Sequence, residues 1–152
     1  MMRRQDLVLD REAALSIIDE IHFAVLSLYD AESKPYGVPL EYVGKGDVLY
    51  FHGAKEGRKV SAMQANPWGC AVIIGENELV PERFGRKYQS VIVEGPIELN
   101  DDPEVKRQVM TWVVERKSPE HLEKGQKVIE KMLDRVLIYK MQMEIVSGKH
   151  GL

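Results

Sequence analysis

Apolar residues along this chain switch between two periods, and the switches outline the fold. Ala14, Ile17, Ile18 and Ile21 recur at helical spacing behind Asp10, a suitable N-cap. Phe23 to Leu28 reads as a strand, Asp30 to Lys34 as a turn cluster, and Tyr36 to Val43 as a second strand. Pro39 lies inside that strand. Proline brings no N–H to a ladder, so it marks an edge, a bulge or a place where the backbone faces a ligand. Gly44-Lys45-Gly46-Asp47 is a hairpin-type turn into a third strand, Val48 to His52. Val60 and Met63, with Ala62 and Ala65, then describe one face of a short helix closed by Asn66-Pro67.

Trp68 to Gly75 has the continuous apolar character of a buried strand. Glu76 to Lys87 shows no periodicity; with Pro81, Gly85 and the cations Arg83, Arg86 and Lys87 it is expected to be a mobile loop. Tyr88 to Leu99 is a long strand bent or bulged at Gly95-Pro96. Asp102-Pro103 sets a cap and a first-turn proline before a helix carrying Val105, Val109, Trp112 and Val113. Another helix begins after Ser118-Pro119 and runs towards Leu133. A last strand puts Leu137, Tyr139, Met141, Met143 and Ile145 on one face and Lys140, Gln142 and Glu144 on the other, ending in Ser147-Gly148-Lys149-His150. Six strands joined mostly by short turns predict a mainly β protein with flanking helices, its antiparallel sheet closed into a small barrel. Most strand pairs lack the crossover helix that a parallel sheet needs.

Composition narrows the function classes. A chain of 152 residues, 44% hydrophobic and 30% charged, suits one globular domain spanning 1–152. A net charge of -3 argues against broad nucleic-acid binding, which needs a clustered positive field. No apolar run reaches the roughly 20 residues that span a bilayer. The opening Met1-Met2-Arg3-Arg4-Gln5-Asp6 leads into no apolar signal core, so a cytoplasmic protein without membrane partners is expected. The single cysteine, Cys70, sits in the apolar run Cys70 to Ile74 and reads as a small core residue. His22, His121 and His150 show no metal-ligand spacing with one another or with Cys70, so no metal site is expected.

The most chemically informative stretch runs from Tyr50 to Lys59. A strand ends in His52, Gly53 and Gly57 follow with three residues between them, and the pair Arg58-Lys59 opens a helix. That order gathers backbone N–H groups, a helix dipole and two cations in one small volume suited to phosphate. It is not a P-loop, which needs four residues between its glycines and a hydroxyl residue after the lysine. No G-x-G-x-x-G opens a helix either. A solvated basic helix start is the plain alternative.

Three segments in order, Tyr36 to Tyr42, Leu49 to Lys59 and Tyr88 to Gly95, resemble the flavin-binding split barrels related to pyridoxamine 5'-phosphate oxidase. The opening Met2-Arg3-Arg4 and the closing Ser147-Gly148-Lys149 resemble the nitroimidazole-resistance branch of that family. The resemblance implies a six-stranded antiparallel Greek-key split barrel and a homodimer with flavin mononucleotide (FMN) at the subunit interface. It also implies an oxidoreductase passing electrons or hydride to a small organic acceptor. On this chain it places Val38, Pro39 and Leu40 beside the isoalloxazine ring and His52, Gly53 and Ala54 along the ribityl chain or ring edge. Arg58 and Lys59 would hold the phosphate, with further contacts from Ser90 and Val91. His52 matches the branch's active-site histidine. Its possible roles are proton donor, hydrogen-bond partner of flavin, or axial ligand to haem, because some split barrels carry haem. The alternative that the resemblance leaves open is a non-catalytic flavin- or haem-binding protein on the same barrel.

Other residues carry two readings each. Lys149 lies either on a solvated tail or near the neighbour's flavin. Trp68 either caps the barrel or meets a partner subunit. Met141 and Met143 fill a core or an interface, and Trp112 anchors a helix to the core.

Overall fold

The computed structural model describes residues 2–152, so only Met1 of the opening polar segment lies outside it. A two-residue strand β1 (Val8–Leu9) precedes α1 (Arg11–Glu20), whose N-cap Asp10 accepts from the Ala13 amide at 2.8 Å. Then come β2 (Phe23–Tyr29), β3 (Pro35–Lys45), β4 (Val48–Ala54), α2 (Arg58–Ala65), β5 (Trp68–Val80) and β6 (Gly85–Asn100). After them follow α3 (Pro103–Lys117), α4 (Leu122–Met132), β7 (Val136–Gln142) and β8 (Ile145–Gly151).

All strand pairs are antiparallel. Neighbours run in the order β6-β5-β2-β3-β4-β7, and β7 pairs back onto β6 to close a six-stranded ring. The predicted closed antiparallel barrel is therefore present. β8 and β1 extend the sheet beyond β6. Inward side chains Leu26, Tyr42, Leu49, Phe51, Ala71, Ile73, Val91, Val93, Tyr139 and Met141 are fully buried, joined by Ile18 of α1 and Met63 of α2. The Tyr42 hydroxyl donates to the Ile18 carbonyl at 2.8 Å, tying α1 to the barrel. A second core lies outside the ring, where Val109 and Met110 of α3 and Ile129 of α4 cover Val136 and Ile138 of β7.

Three expectations need correction. Glu76 to Lys87 is not a loop. β5 and β6 continue through it as a paired hairpin after a bulge between Ile74 and Asn77, with a single 3-10 turn at Pro81–Arg83. Its solvated side chains concealed the strands, because an arm projecting from the barrel has no buried face to impose alternation. The last strand is two strands. The first pairs with β4 and the C-terminal half of β6, the second with the N-terminal half of β6. Ile145 is accordingly exposed instead of sharing the buried face of Met141. The tail holding Lys149 is built into the sheet, with Lys149 opposite Ser90. β6 changes partner at Gly95-Pro96, from β8 to β7, and a Cβ on Gly95 would overlap the Gln142 carbonyl; the register with β5 runs through this point without a bulge.

Candidate functional site

β4 presents two faces. Leu49 and Phe51 point into the barrel, whereas Tyr50 points out, edge-on to Trp112 of α3 with ring centres 5.3 Å apart. His52 shares the outward face, opposite Ile138 of β7. Gly53 faces in at the mouth of the barrel. A Cβ there would stand 2.6 Å from the Tyr139 hydroxyl and 3.1 Å from Lys59 Cε, so only glycine leaves the space open. The Tyr139 hydroxyl donates to the Ala54 carbonyl at 2.7 Å and holds this strand end in place, while burial pushes its phenol up to about 12.

The chain then turns through Gly57, at a φ of 113° that favours glycine, into α2. No side chain caps this helix, and its first intrahelical bond runs from the Ser61 amide to the Gly57 carbonyl. Its leading amides are left without an internal acceptor. Arg58 stacks over the Tyr36 ring, 4.2 Å from its centre, and donates to Asp30 Oδ2 at 2.9 Å. The other oxygen of Asp30 accepts from the Glu32 and Lys34 amides at 3.0 and 2.9 Å, and these bonds with Arg58 hold the carboxyl below the usual range. Asp30 thus ties the β2–β3 turn to the basic pair, and Asn66 adds bonds from its side-chain amide to the Tyr29 and Asp30 carbonyls. In the sequence Asp30 is visible only as part of a turn. An aspartate leading a short polar turn is a recognisable local cap, but its second role depends on a helix 28 positions away.

Between these parts runs an open edge. β3 pairs with β2 from Pro35 to Glu41 but with β4 only from Tyr42 to Lys45. The Pro35–Glu41 edge therefore has no strand beside it on the β4 side, which accommodates Pro39 without a lost ladder bond. Val38 and Leu40 pack against the barrel core, and Pro39 is exposed opposite Val25. Arg58 over Tyr36 marks one end of this gap. Glu41 marks the other, about 17 Å away at roughly 3.3 Å per strand residue.

Around Glu41 a polar group converges. Lys117 Nζ lies 2.7 Å from Glu41. Arg116 donates to the Tyr42 carbonyl, which is free because β2 ends at Phe23. The ring atoms His52 Nδ1 and His22 Nδ1 and the Arg116 Nε are buried without hydrogen-bond partners. Burial pushes the His52 imidazole below its ordinary value; the Glu41 charge opposes that shift and Lys117 reinforces it. His22 is likewise lowered, by burial and then by Arg116. Of these, only His52 carries a signal for chemistry in the sequence. Glu41, Arg116 and Lys117 carry no spacing signal, because tertiary packing of α3 on β3 assembles them.

The structure thus brings Val38, Pro39, Leu40, His52, Gly53, Ala54, Arg58 and Lys59 along one gap. It does not bring Ser90, Val91 or Lys149 there. Those three lie on β6 and β8, beyond β2 and β5 in the sheet. Val91 points into the core with no exposure, so its side chain meets no ligand. Ser90 and Lys149 face outward on a bare apolar surface shared by Phe23, Val25, Trp68, Ile74, Ile92 and Ile145, and Lys149 Nζ sits 5.8 Å from the Tyr88 ring centre. Trp68 belongs to this surface, not to a cap over the barrel. An open cleft of about 510 Å³ crosses it, lined by residues including Tyr29, Tyr36, Trp68, Cys70 and Glu94. Cys70 is half-buried there, its thiol pushed up by burial, which makes it a poor nucleophile. Among the described residues no group of three or more His, Cys, Asp or Glu is placed to hold a metal, and no helix is long and apolar enough to cross a membrane.

Solved structures share this architecture along nearly the whole chain. The flavocytochrome Anf3 from Azotobacter vinelandii superposes with a TM-score of 0.87 at 22% identity, over 100% of this chain and 72% of that one. A candidate 5-nitroimidazole antibiotic resistance protein from Bacteroides thetaiotaomicron gives 0.71 at 22% identity, over 95% and 86%. The FAD and haem binding protein from Mycobacterium smegmatis gives 0.74 at 18% identity, over 93% and 71%. At these identities the likeness establishes the fold. No curated protein matches the sequence significantly. The family model described as pyridoxamine 5'-phosphate oxidase matches residues 10–150. With the split ring of strands, that match makes the chain a member of the pyridoxamine 5'-phosphate oxidase family.

Proposed function

We propose that the chain is an FMN-binding oxidoreductase that works as a homodimer and delivers electrons or hydride to a small organic acceptor. The observation that carries this reading is the open β3 edge. One end has two cations and an uncapped helix start, and the other has a buried, unpartnered imidazole nitrogen. The residues fit a flavin phosphate. Arg58 keeps donors beyond the one given to Asp30, Lys59 adds a point charge, and the free amides of α2 add oriented dipoles. Gly53 keeps the mouth clear, while Val38, Pro39 and Leu40 offer an apolar wall for a ring.

Bound flavin would supply two-electron redox chemistry. The chain's own part is to hold the phosphate, exclude water from the ring wall and manage a proton at His52, whose burial favours the neutral imidazole until a proton is needed. A single chain leaves the gap open on its solvent side, and its bare outer sheet face is the surface suited to a second copy. That copy would bring Ser90 and Lys149 of one protomer towards the gap of the other, which is the role proposed for them. The specific acceptor of the nitroimidazole-resistance type belongs to this proposal.

The test is to titrate the purified chain with FMN while recording flavin fluorescence and sedimentation. Saturable quenching by a two-subunit species supports the reading. It should be followed by reduction with NADH or NADPH and reoxidation by a nitroaromatic or a quinone. Absence of binding to either FMN or FAD overturns it. A haem-binding reading draws on the names of two of the similar structures and on the unpartnered His52 nitrogen. A Soret band that vanishes in His52→Ala would replace the flavin proposal with that one.

A further inference from the structure

We propose that Glu41, anchored by Lys117, sets the charge state of His52. The β3–β4 ladder ends at the Tyr42–Phe51 pair, and Glu41 and His52 are the next residue of each strand beyond that last pair. Both side chains lie on the outward face, since Tyr42 and Phe51 between them point into the core. Lys117, the last residue of α3, fixes the carboxylate from above with its Nζ at 2.7 Å. The position of the acid is therefore set by an independent element, not by the histidine it faces.

His52 Nδ1 is buried and bonded to nothing, so the field around it, not a bonded partner, governs its protonation. The groups facing it are few. β3 supplies Glu41, α3 supplies Lys117, and the residue opposite on β7 is the uncharged Ile138. His22 and Arg116 lie beyond Glu41 and act on the same carboxylate. Burial and Lys117 favour the neutral imidazole, and Glu41 favours the charged one. Acid and lysine therefore pull in opposite directions on one ring. Mere loss of packing would not produce that sign pattern. The consequence for turnover rests on the proposed proton-handling role of His52; the coupling itself does not.

The experiment is an NMR titration of the His52 imidazole in the full-length chain, assigned by its loss in His52→Ala. It is repeated in Glu41→Gln and Lys117→Gln. The titration midpoint is expected to fall in Glu41→Gln and to rise in Lys117→Gln. The pH dependence of turnover should move the same way in each. Midpoints that stay at the wild-type value, or that move in the same direction in both variants, overturn the proposal. Lys117 is half-exposed, so its variant remains informative even if Glu41→Gln folds poorly. Opposite midpoint shifts without any change in the pH profile of turnover would support the coupling and remove His52 from the proposed mechanism, which separates the two failures.

Discussion

The outer wall of the barrel comes in two halves that both carry apolar outward residues and differ in what covers them. Along β4 and β7 the outward residues Tyr50, Val136 and Ile138 lie beneath α3 and α4, and Ile138 has no exposure at all. Along β2, β5, β6 and β8 the outward Phe23, Ile74, Ile92 and Ile145 are just as apolar, yet Phe23 remains 57% exposed and Ile74 53%. One half is a core completed within the chain, and the other is a half-core. Isolated exposed apolar residues are ordinary, but a contiguous row across neighbouring strands marks a surface meant for a partner. The gap along β3, with His52 and Glu41 at the rim of α3, lies where the covered half ends. A ligand there would be enclosed by this chain on one side only.

Substitution tests that comparison. His52→Ala at the rim should lower turnover by roughly 10²- to 10⁴-fold while FMN stays bound. Unchanged steady-state rates would remove this residue from the chemistry. On the covered half, Ile138→Ala should cost about 2–5 kcal/mol of stability in chemical denaturation, because it opens a cavity between β7 and the helices. Ile74→Asp on the bare half should leave the fold of each protomer intact and abolish the proposed dimer in sedimentation; a variant that still sediments as a dimer would mean that another face pairs. Arg58→Ala should weaken FMN retention about ten- to a hundredfold, as one charge-assisted contact of roughly 1.5–3 kcal/mol is lost. Equilibrium dialysis measures that directly.

The smallest effect concerns acid. The folded state holds the Asp30 carboxyl below its ordinary value, so at mildly acidic pH the unfolded chain binds more protons than the folded one. The stabilisation it supplies is present above the normal carboxylate range and lost as pH falls through the lowered value. His52 acts with the same sign at higher pH, because its lowered value makes the folded state resist protonation as pH falls through the ordinary histidine range. In Asp30→Asn the acid-induced fall in melting temperature should be shallower than in the parent, and an identical pH profile would remove Asp30 from the account.

Much of this was legible in one dimension. The caps at Asp10 and Asp102 and the proline on an open edge are local in cause and came out where residue chemistry put them. The phosphate-suited order from His52 to Lys59 was legible for the same reason, since strand end, turn and helix start are contiguous. The β5–β6 arm was not legible, because its pairing is held by backbone bonds between solvated side chains. The partition of the last strand was not legible either: Val136 and Ile138 are buried by helices that the strand's own alternation cannot reveal.

By itself, then, the sequence determined which segments fold locally and which two cations stand at the start of α2, because capping, turn formation and alternation act over a few residues. The tertiary structure alone decided that Asp30 holds Arg58, that Lys117 reaches Glu41 beside His52, and that one apolar wall is roofed while the other stays open. Those outcomes depend on contacts between residues tens of positions apart, and no pattern of neighbours along the chain encodes where such residues meet.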